Sequence, residues 1–312
     1  DMFCFQCEQT AKGTGCTHTG GCGKDGETAA LQDLLVYACK GIAMYGHRAG
    51  ALGARNNDID LFLVEALFTT VTNVNFDAES LVSWLKRAGT MLGRAKELYE
   101  GAAKAAGQTG ETLSGPATWS PASDKAGFLA QAAEVSIEGR IAARGPDLGG
   151  LEELCMYGLK GVAAYADHAQ ILGKSDQGVY DFFHEALSFL AGDPGVDELV
   201  GMAMRVGEVN LKVMELLDDA NTSTYGHPEP TTVRVEPVAG KAILVSGHDL
   251  KDLKLLLEQT EGTGVNVYTH GEMLPTHAYP ALKKYAHFHG HYGTAWQNQA
   301  KEFAAFPGAI LM

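Results

Sequence analysis

Residues 31–45 read Leu31-Gln32-Asp33-Leu34-Leu35-Val36-Tyr37-Ala38-Cys39-Lys40-Gly41-Ile42-Ala43-Met44-Tyr45. Apolar side chains recur here every three to four residues, the spacing that places them on one face of an α-helix. The stretch is repeated 120 residues later, starting at Leu151-Glu152-Glu153-Leu154. The matches at this constant offset include Tyr37 and Tyr157, Lys40 and Lys160, Gly41 and Gly161, Ala43 and Ala163, and Tyr45 and Tyr165. Such a repeat predicts the internal duplication of one helical unit.

Each copy of the repeat is expected to contain three helices. In the first copy the helical pattern covers 27–52, 59–74 and 77–99, and in the second copy 196–217 repeats the third of these segments. Residues 101–121 are rich in Gly, Ala, Ser, Thr and Pro, a composition typical of a connecting segment. The sequence therefore predicts two antiparallel three-helix bundles that pack side by side.

The pattern changes from helical to mixed after residue 230. β-Branched runs at 232–235, 242–245 and 265–268, with a helical pattern at 250–260, predict strands joined by a crossover helix. The strands of such a unit are parallel, and a helix at 296–303 then leads to a further buried strand at 308–312. Because this last apolar run has no closing turn or covering strand, we expect the chain to be the first part of a longer one.

These patterns give the fold class α + α/β, with duplicated three-helix bundles followed by an incomplete Rossmann-like parallel α/β domain. The predicted division of the chain is a cysteine-rich loop over 1–26, a duplicated helical domain over 27–226, and the first part of an α/β domain over 227–312. Within the helical domain we expect the two copies to meet near residue 120.

The composition excludes several classes of protein. The 24 basic and 38 acidic side chains give a formal net charge of −14, which argues against binding to nucleic acid or to an anionic membrane surface. No segment approaches the roughly 18 consecutive apolar residues of a transmembrane helix. The first residues lack the basic start and apolar run of a secretory signal. We therefore expect a cytoplasmic protein with reduced thiols.

Four of the six cysteines lie in the first 22 residues, with the spacing C-x2-C-x8-C-x5-C and five glycines between or directly after them. A glycine-rich loop of this length has no core of its own, so its order requires a covalent or metal cross-link. Two disulfides, a four-cysteine zinc site and an iron–sulfur cluster are the alternatives. One CxxC pair followed by two single thiols, with Phe3 and Phe5 to exclude water, favours a cubane cluster over the paired CxxC motifs of zinc sites.

The residues around these thiols carry a resemblance to a known family. The segments Phe3-Cys4-Phe5-Gln6-Cys7-Glu8-Gln9-Thr10, Gly15-Cys16 and Gly21-Cys22-Gly23-Lys24 resemble the N-terminus of hybrid cluster (prismane) proteins, an iron–sulfur family linked to hydroxylamine and nitric oxide reduction. The spacing is similar to that of the class, found mainly in strict anaerobes, that carries a 4Fe–4S cubane. The resemblance implies that Cys4, Cys7, Cys16 and Cys22 are the cubane ligands.

A second candidate site follows two of the predicted strands, at Ser246-Gly247-His248-Asp249 and at His270-Gly271-Glu272-Met273. Side chains at the carboxyl ends of parallel strands meet at one edge of the sheet. The residues alone leave a helix-capping or strand-end role equally open. The resemblance implies that His248 and Glu272 donate ligands to a hybrid cluster of the 4Fe–2S–2O type, whose remaining ligands lie beyond residue 312.

Five further histidines, His270, His277, His287, His289 and His291, form an unusual density of imidazoles downstream of this site. Any of them could relay protons, although most are expected at the surface or outside the ligand set. Cys39 and Cys155 lie in apolar helical runs and are expected to be buried without a ligand role.

The resemblance implies an oxidoreductase that reduces hydroxylamine to ammonia, or nitric oxide, with the cubane as electron relay. Its partners would be a small N-oxide substrate and an unidentified electron-donor protein. One alternative is a nitrosative-stress protein that binds nitric oxide or transfers it to partner thiols. Others are an enzyme similar to carbon monoxide dehydrogenase, against which Phe3-Cys4-Phe5-Gln6-Cys7 argues, and a zinc-stabilised structural protein.

Overall fold

The computed structural model describes residues 2–312, and it divides into two compact units. The first unit contains residues 2–167 and Ser175–Glu215, and the second contains His168–Lys174 and Leu216–Met312. Among the described residues, no helix has both the length and the apolar content needed to cross a bilayer. Most of the chain is helical, and the strands form one small parallel sheet, which agrees with the predicted combination of a helical part and a parallel α/β part.

Eight helices begin in the first unit, and two of them continue into the second. Their bounds are α1 Gly26–Ala51, α2 Asn57–Phe68, α3 Ala78–Ala105, α4 Lys125–Glu134, α5 Ile137–Arg144, α6 Pro146–Ile171, α7 Gln177–Phe189 and α8 Val196–Tyr225. Helices α1, α3, α6 and α8 lie where the periodicity predicts helices. Helices α4 and α5 were not predicted, because they are short and follow a segment dominated by Gly, Ser and Pro.

Side-chain caps define where the predicted helices start. The carboxylate of Asp25 accepts a hydrogen bond from Thr28 N at 2.8 Å, and Asn56 caps α2 in the same way through Asp58 N at 2.9 Å. The predicted second helix, 59–74, is too long, since α2 ends at Phe68. It ends there because Thr70 Oγ1 turns back to Leu67 O at 2.7 Å and Asn73 adopts a positive φ of 66°, which an α-helix does not allow.

Helix α1 lies at the centre of the apolar core of the first unit. Leu31, Leu34, Leu35 and Ile42 are fully buried, and residues from α2, α3, α6, α7 and α8 contribute to the same core. Cys39 on α1 and Cys155 on α6 are also fully buried, as predicted for thiols in apolar runs. Gly41 allows the turn at Gly115–Thr118 to approach α1, because a Cβ at this position would lie 2.2 Å from the Pro116 carbonyl oxygen.

The second unit contains a four-stranded parallel sheet. Its strands are β1 Lys241–Val245, β2 Val265–His270, β3 Phe288–Tyr292 and β4 Ala309–Leu311, in the order β3-β2-β1-β4. Helix α9, Leu250–Thr260, connects β1 to β2, and the shorter helices α10, Pro280–Lys283, and α11, Gln299–Ala305, follow β2 and β3. Strands β1, β2 and β4 and helix α9 lie where the sequence predicts them. Strand β4 is not buried as predicted, however, since Ala309 and Ile310 are exposed.

The predicted strand at 232–235 is wrong. This segment has no regular structure, although Arg234 O accepts a hydrogen bond from His291 N at 2.8 Å beside β3. Glu236-Pro237 follows it, and proline cannot donate to a strand ladder. The strand that does form here, β3, was not predicted, because Phe-His-Gly-His-Tyr lacks β-branched residues.

Candidate iron–sulfur and strand-end sites

The cysteine loop is held together by backbone hydrogen bonds between its first and third thiol-bearing residues. Cys4 N donates to Cys16 O at 3.1 Å, and Cys16 N donates to Cys4 O at 2.8 Å. Gly15, which has a φ of 147°, lets the chain pass beneath the Phe3 ring, since a Cβ there would lie 2.6 Å from Phe3 Cε2. This pairing brings two of the four predicted ligands side by side.

All six cysteines are free thiols, so none of the predicted ligands is used in a disulfide. Burial raises the pKa of Cys7, and the neighbouring Cys22, Cys4 and Cys16 add to this effect. Burial also acts to raise the pKa of Cys16, but hydrogen bonds from the backbone of Ala11 and Gly21 outweigh it, so the pKa is lowered. The loop therefore brings the other three thiols close enough to Cys7 to act on its charge.

Polar and aromatic side chains attach this loop to the helical unit. Gln6, between Cys4 and Cys7, accepts from Thr72 N at 2.8 Å and donates to Thr70 O at 3.4 Å. The rings of Phe3 and Phe5 lie 5.1 Å apart, and Phe5 contacts Tyr157 edge-on at 5.5 Å between ring centroids. An aromatic wall of this kind excludes water from one side of the loop.

The donor set of the loop fits an iron–sulfur cluster. Backbone donors such as Ala11 N, 3.4 Å from Cys16 Sγ, supply the N–H to sulfur hydrogen bonds that tune such clusters. Within residues 2–312, no three His, Cys, Asp or Glu side chains converge closely enough to hold a single metal ion.

A group of charged side chains, all but one of the Asp, Glu and Lys members buried, lies on α1, on α6 and directly before α1 in the same unit, and the sequence patterns did not predict it. Its members are Lys24, Asp33, Lys40, Glu152, Glu153 and Lys160, joined by Arg140 and Arg144 from α5. Burial raises the pKa of Asp33 to about 7 and lowers the pKa of Lys160 to about 8. The available signal was the recurrence of charged residues inside two apolar helical stretches.

The two residues of the predicted strand-end site, His248 and Glu272, are in direct contact in the second unit. His248 follows β1, Glu272 follows β2, and His248 Nε2 lies 2.6 Å from Glu272 Oε2. Both side chains are more than half exposed, at 53% and 61%, and the His168 ring lies 6.5 Å from that of His248. The helix cap in this region is Asp249, which accepts from Lys251 N at 2.7 Å and leaves His248 and Glu272 free of that role.

The downstream histidines form two hydrogen-bonded groups around β2. Both ring nitrogens of His270 are hydrogen-bonded: Nδ1 to Ser246 Oγ at 3.0 Å and Nε2 to Glu302 Oε2 at 2.7 Å. Thr269 Oγ1 joins His277 Nε2 at 2.8 Å to His291 Nδ1 at 2.9 Å. His270, His277 and His291 are buried, so of the two predicted placements, at the surface or outside the ligand set, the surface does not apply to these three.

Burial lowers the pKa of His277 to about 4 and also lowers the pKa of His291, so both imidazoles are neutral at pH 7. The pKa of Glu302 is lowered as well, since hydrogen bonds from Thr294 and His270 outweigh the effect of burial. The unit therefore contains both an exposed His–Glu pair and buried imidazoles, of which His277 and His291 are neutral.

Sequence relatives with assigned functions cover the whole chain. Hydroxylamine reductases from Rhodospirillum rubrum, Methanocella arvoryzae and Burkholderia lata are 54%, 53% and 55% identical to it. Each of these alignments includes 100% of this chain and 57% of the relative, so the chain spans a little over half the length of the curated relatives it matches.

The similarity to solved structures is weak. The as-isolated Ni-free carbon monoxide dehydrogenase from Thermococcus sp. AM4 aligns with 97% of this chain and 44% of its own length, at 12% identity and a TM-score of 0.34. Carbon monoxide dehydrogenase IV from Carboxydothermus hydrogenoformans gives 16% identity and a TM-score of 0.32 over the same shares. A family model described as the Prismane/CO dehydrogenase family matches residues 2–312, and the chain therefore belongs to that family.

Proposed function

We propose that this chain is part of an iron–sulfur oxidoreductase that reduces hydroxylamine to ammonia. The observation that carries the proposal is the single loop of four free thiols in a chain that is 53–55% identical to proteins named hydroxylamine reductase. The reaction consumes two electrons and two protons for each hydroxylamine and yields ammonia and water. A protein that performs it needs both an electron path and a proton path.

Cys4, Cys7, Cys16 and Cys22 are the proposed ligands of a 4Fe–4S cubane, which supplies one-electron transfer when bound. Four cysteines occupy every corner of such a cluster, so no position remains for a substrate. Its role is then that of an electron relay. The chain's own contribution is to hold the thiols in a backbone-paired loop and to shield them with Phe3, Phe5 and Tyr157.

His248 and Glu272 are the proposed ligands of the substrate-binding centre, a hybrid 4Fe–2S–2O cluster. The exposed pair offers one nitrogen and one oxygen donor at the carboxyl ends of neighbouring strands. Such a mixed donor set suits an iron that keeps an open position. One imidazole and one carboxylate do not complete the coordination of an iron, so further ligands must come from other residues.

The buried imidazoles provide a proposed route for protons toward this edge. Ser246, His270 and Glu302 form a continuous hydrogen-bonded chain, and Ser246 is two residues from His248. A histidine that bonds at both ring nitrogens can take up a proton on one side and release one on the other.

We infer as well that the helical part arose by duplication. Helices α1 and α6 are each 26 residues long, and they start 120 residues apart, as do α2 and α7. Asn56 and Asp176, which also differ by 120, cap α2 and α7. A small N-oxide substrate, a protein electron donor, a cytoplasmic location and the absence of nucleic-acid or membrane partners complete the proposal.

Metal analysis and an activity assay test the proposed function. Holoprotein purified without oxygen should contain iron and acid-labile sulfide, and with a reduced dye it should convert hydroxylamine to ammonia. A full iron load without turnover would exclude the reductase. Nickel in the same analysis would favour carbon monoxide dehydrogenase chemistry, and zinc would favour a structural site. Transfer of nitric oxide to partner thiols faster than hydroxylamine turnover would favour the nitrosative-stress role.

A further inference from the structure

Two buried lysines occupy equivalent positions in the two copies of the repeat. Lys40 on α1 and Lys160 on α6 differ by 120 residues and are only 7% and 5% exposed. Burial lowers the pKa of each to about 8, so both side chains carry a positive charge at pH 7. A buried ammonium is costly unless negative groups surround it, and the surroundings of the two lysines differ.

Lys40 lies among ordinary ion pairs. The charged groups that act on it most strongly are Arg140, Glu153, Glu152 and Arg144. Arg140 Nη1 is 3.4 Å from Glu152 Oε2, Arg144 Nε is 2.8 Å from Glu152 Oε1, and Arg140 also pairs with Glu153. The positive charge of Lys40 therefore belongs to a group of side chains that already contains carboxylates.

Lys160 lies beside the cysteine loop instead. Its Nζ donates to Thr70 O at 3.5 Å, and the same carbonyl accepts from Gln6 Nε2 at 3.4 Å. Gln6 directly precedes Cys7, so the ammonium and the loop share one buried acceptor, the carbonyl of Thr70, a residue that is 0% exposed.

The Tyr157 ring completes this connection between Lys160 and the loop. Lys160 Nζ lies 5.8 Å from the centre of the Tyr157 ring, and the same ring contacts Phe5, the residue after Cys4. Among the charges that stabilise the ammonium of Lys160 are those of Asp33, Glu153 and Cys4, and Lys24 opposes them. Lys160 is therefore the member of the lysine pair whose electrostatic surroundings include a proposed cluster ligand.

We propose that Lys160 sets the reduction potential of the cluster bound by Cys4, Cys7, Cys16 and Cys22, and that its buried positive charge favours the reduced form. The inference rests on the proposed cubane. Reduction adds one electron to the cluster, so a fixed positive charge in the poorly polarisable interior stabilises the product more than the reactant. Lys160 acts on the cluster through its charge, without direct contact with the cluster or the substrate.

The test is a redox titration of the loop cluster, followed by electron paramagnetic resonance in anaerobic holoprotein. Lys160→Met removes the charge and retains most of the volume of the side chain. At a fixed applied potential, the ratio of reduced to oxidised cluster should fall about tenfold, which is about 59 mV for a one-electron couple. Lys160→Arg keeps the charge and should stay close to the wild-type potential.

Lys40→Met is the matched control, because it removes an equally buried lysine at the equivalent position of the other repeat. The shift in reduction potential in Lys40→Met should be less than about a third of the shift in Lys160→Met. The reason is that ion pairs near Lys40 already balance its charge. An unchanged potential in Lys160→Met would overturn the proposal. An equal shift in both methionine variants would overturn it as well, because the effect would then be a general one of buried charge.

A second neutral variant separates the effect of charge from a loss of folded structure in Lys160→Met. Lys160→Gln keeps a donor for Thr70 O but carries no charge, and it should show the same fall in the ratio as Lys160→Met. If both neutral variants lose the cluster while Lys160→Arg retains it, the charge is needed for assembly rather than for potential, and the proposal fails. A wild-type protein without iron and sulfide would instead contradict the cubane itself, so the two failures are distinguishable.

Discussion

His248 Nε2 and Glu272 Oε2 lie 2.6 Å apart although 24 residues separate them in the chain. The contact forms because β1 and β2 are parallel neighbours, paired from Lys241 with Val265 to Val245 with Thr269. Their carboxyl ends therefore open on the same edge of the sheet, and each donates one side chain there. The pair is more than half exposed, so it remains accessible to a metal centre.

Replacing either member of this pair should abolish the substrate reaction and leave the electron relay intact. For His248→Ala and Glu272→Gln we expect hydroxylamine reduction to fall by at least about 100-fold, since loss of a ligand costs no less than loss of a residue that orients one. The electron paramagnetic resonance signal of the loop cluster should be unchanged. The control is Glu258→Gln on α9, an exposed glutamate outside the site, whose activity should match that of the wild type. Wild-type turnover in His248→Ala would remove His248 from the mechanism.

The loop cysteines and the helix cysteines should respond differently to substitution. Cys7→Ala should lose the loop cluster, so that the iron content of the protein falls by about four atoms per chain. Cys155→Ala removes a fully buried thiol on α6 and should keep all of its iron, with a loss of stability of about 1 kcal/mol from the small cavity. Iron and sulfide analysis of both variants checks this. Equal iron contents would contradict the ligand assignment.

Two glycines on α1 should have opposite effects on stability. Gly41→Ala places a Cβ 2.2 Å from the Pro116 carbonyl oxygen, and because the obstacle is backbone, we expect destabilisation of about 1–3 kcal/mol. Gly50→Ala meets no atom within 4 Å and should stabilise the protein by up to about 1 kcal/mol through its higher helix propensity. Urea unfolding followed by circular dichroism compares the two. A stable Gly41→Ala protein would mean that the 115–118 turn can move away from α1.

His277 should make the second unit less stable as the pH falls. Burial lowers the pKa of His277 to about 4, whereas an unfolded histidine titrates at about 6.5. Between these values the unfolded chain binds a proton that the folded chain does not, so the free energy of unfolding decreases as the pH falls through this window, by about 3 kcal/mol in total. Above pH 6.5 the contribution is constant, and below pH 4 the loss is complete.

His277→Gln should flatten this pH dependence, which hydrogen exchange of β2 and β3 amides between pH 4 and pH 7 can measure after correction for the intrinsic exchange rate. His227→Gln replaces an exposed histidine of the same unit and serves as the control. A wild-type slope that persists in His277→Gln would assign the effect to another group, with His291 as the next candidate, since burial lowers its pKa as well.

The local signals in the sequence were sufficient for most of the helices and for three strands. Helix α9 has the bounds that its periodicity predicts, and α1 agrees to within one residue at each end, because apolar spacing is a property of neighbouring residues. The prediction failed at 232–235 and at β3. In both places strand formation depends on a partner strand rather than on the composition of the segment.

By itself, the sequence determined the four-thiol loop, the helical repeat, and the strand ends at which His248 and Glu272 lie. Each of these features follows from the intervals between particular residue types along the chain. Only the tertiary structure decided that Lys160 approaches the loop while Lys40 lies near the ion pairs of Arg140 and Arg144, because the two lysines occupy the same position in their helices and differ only in what packs against them. It also decided which histidines are buried. Burial and charge compensation are properties of packing between distant segments, and a one-dimensional pattern does not contain them.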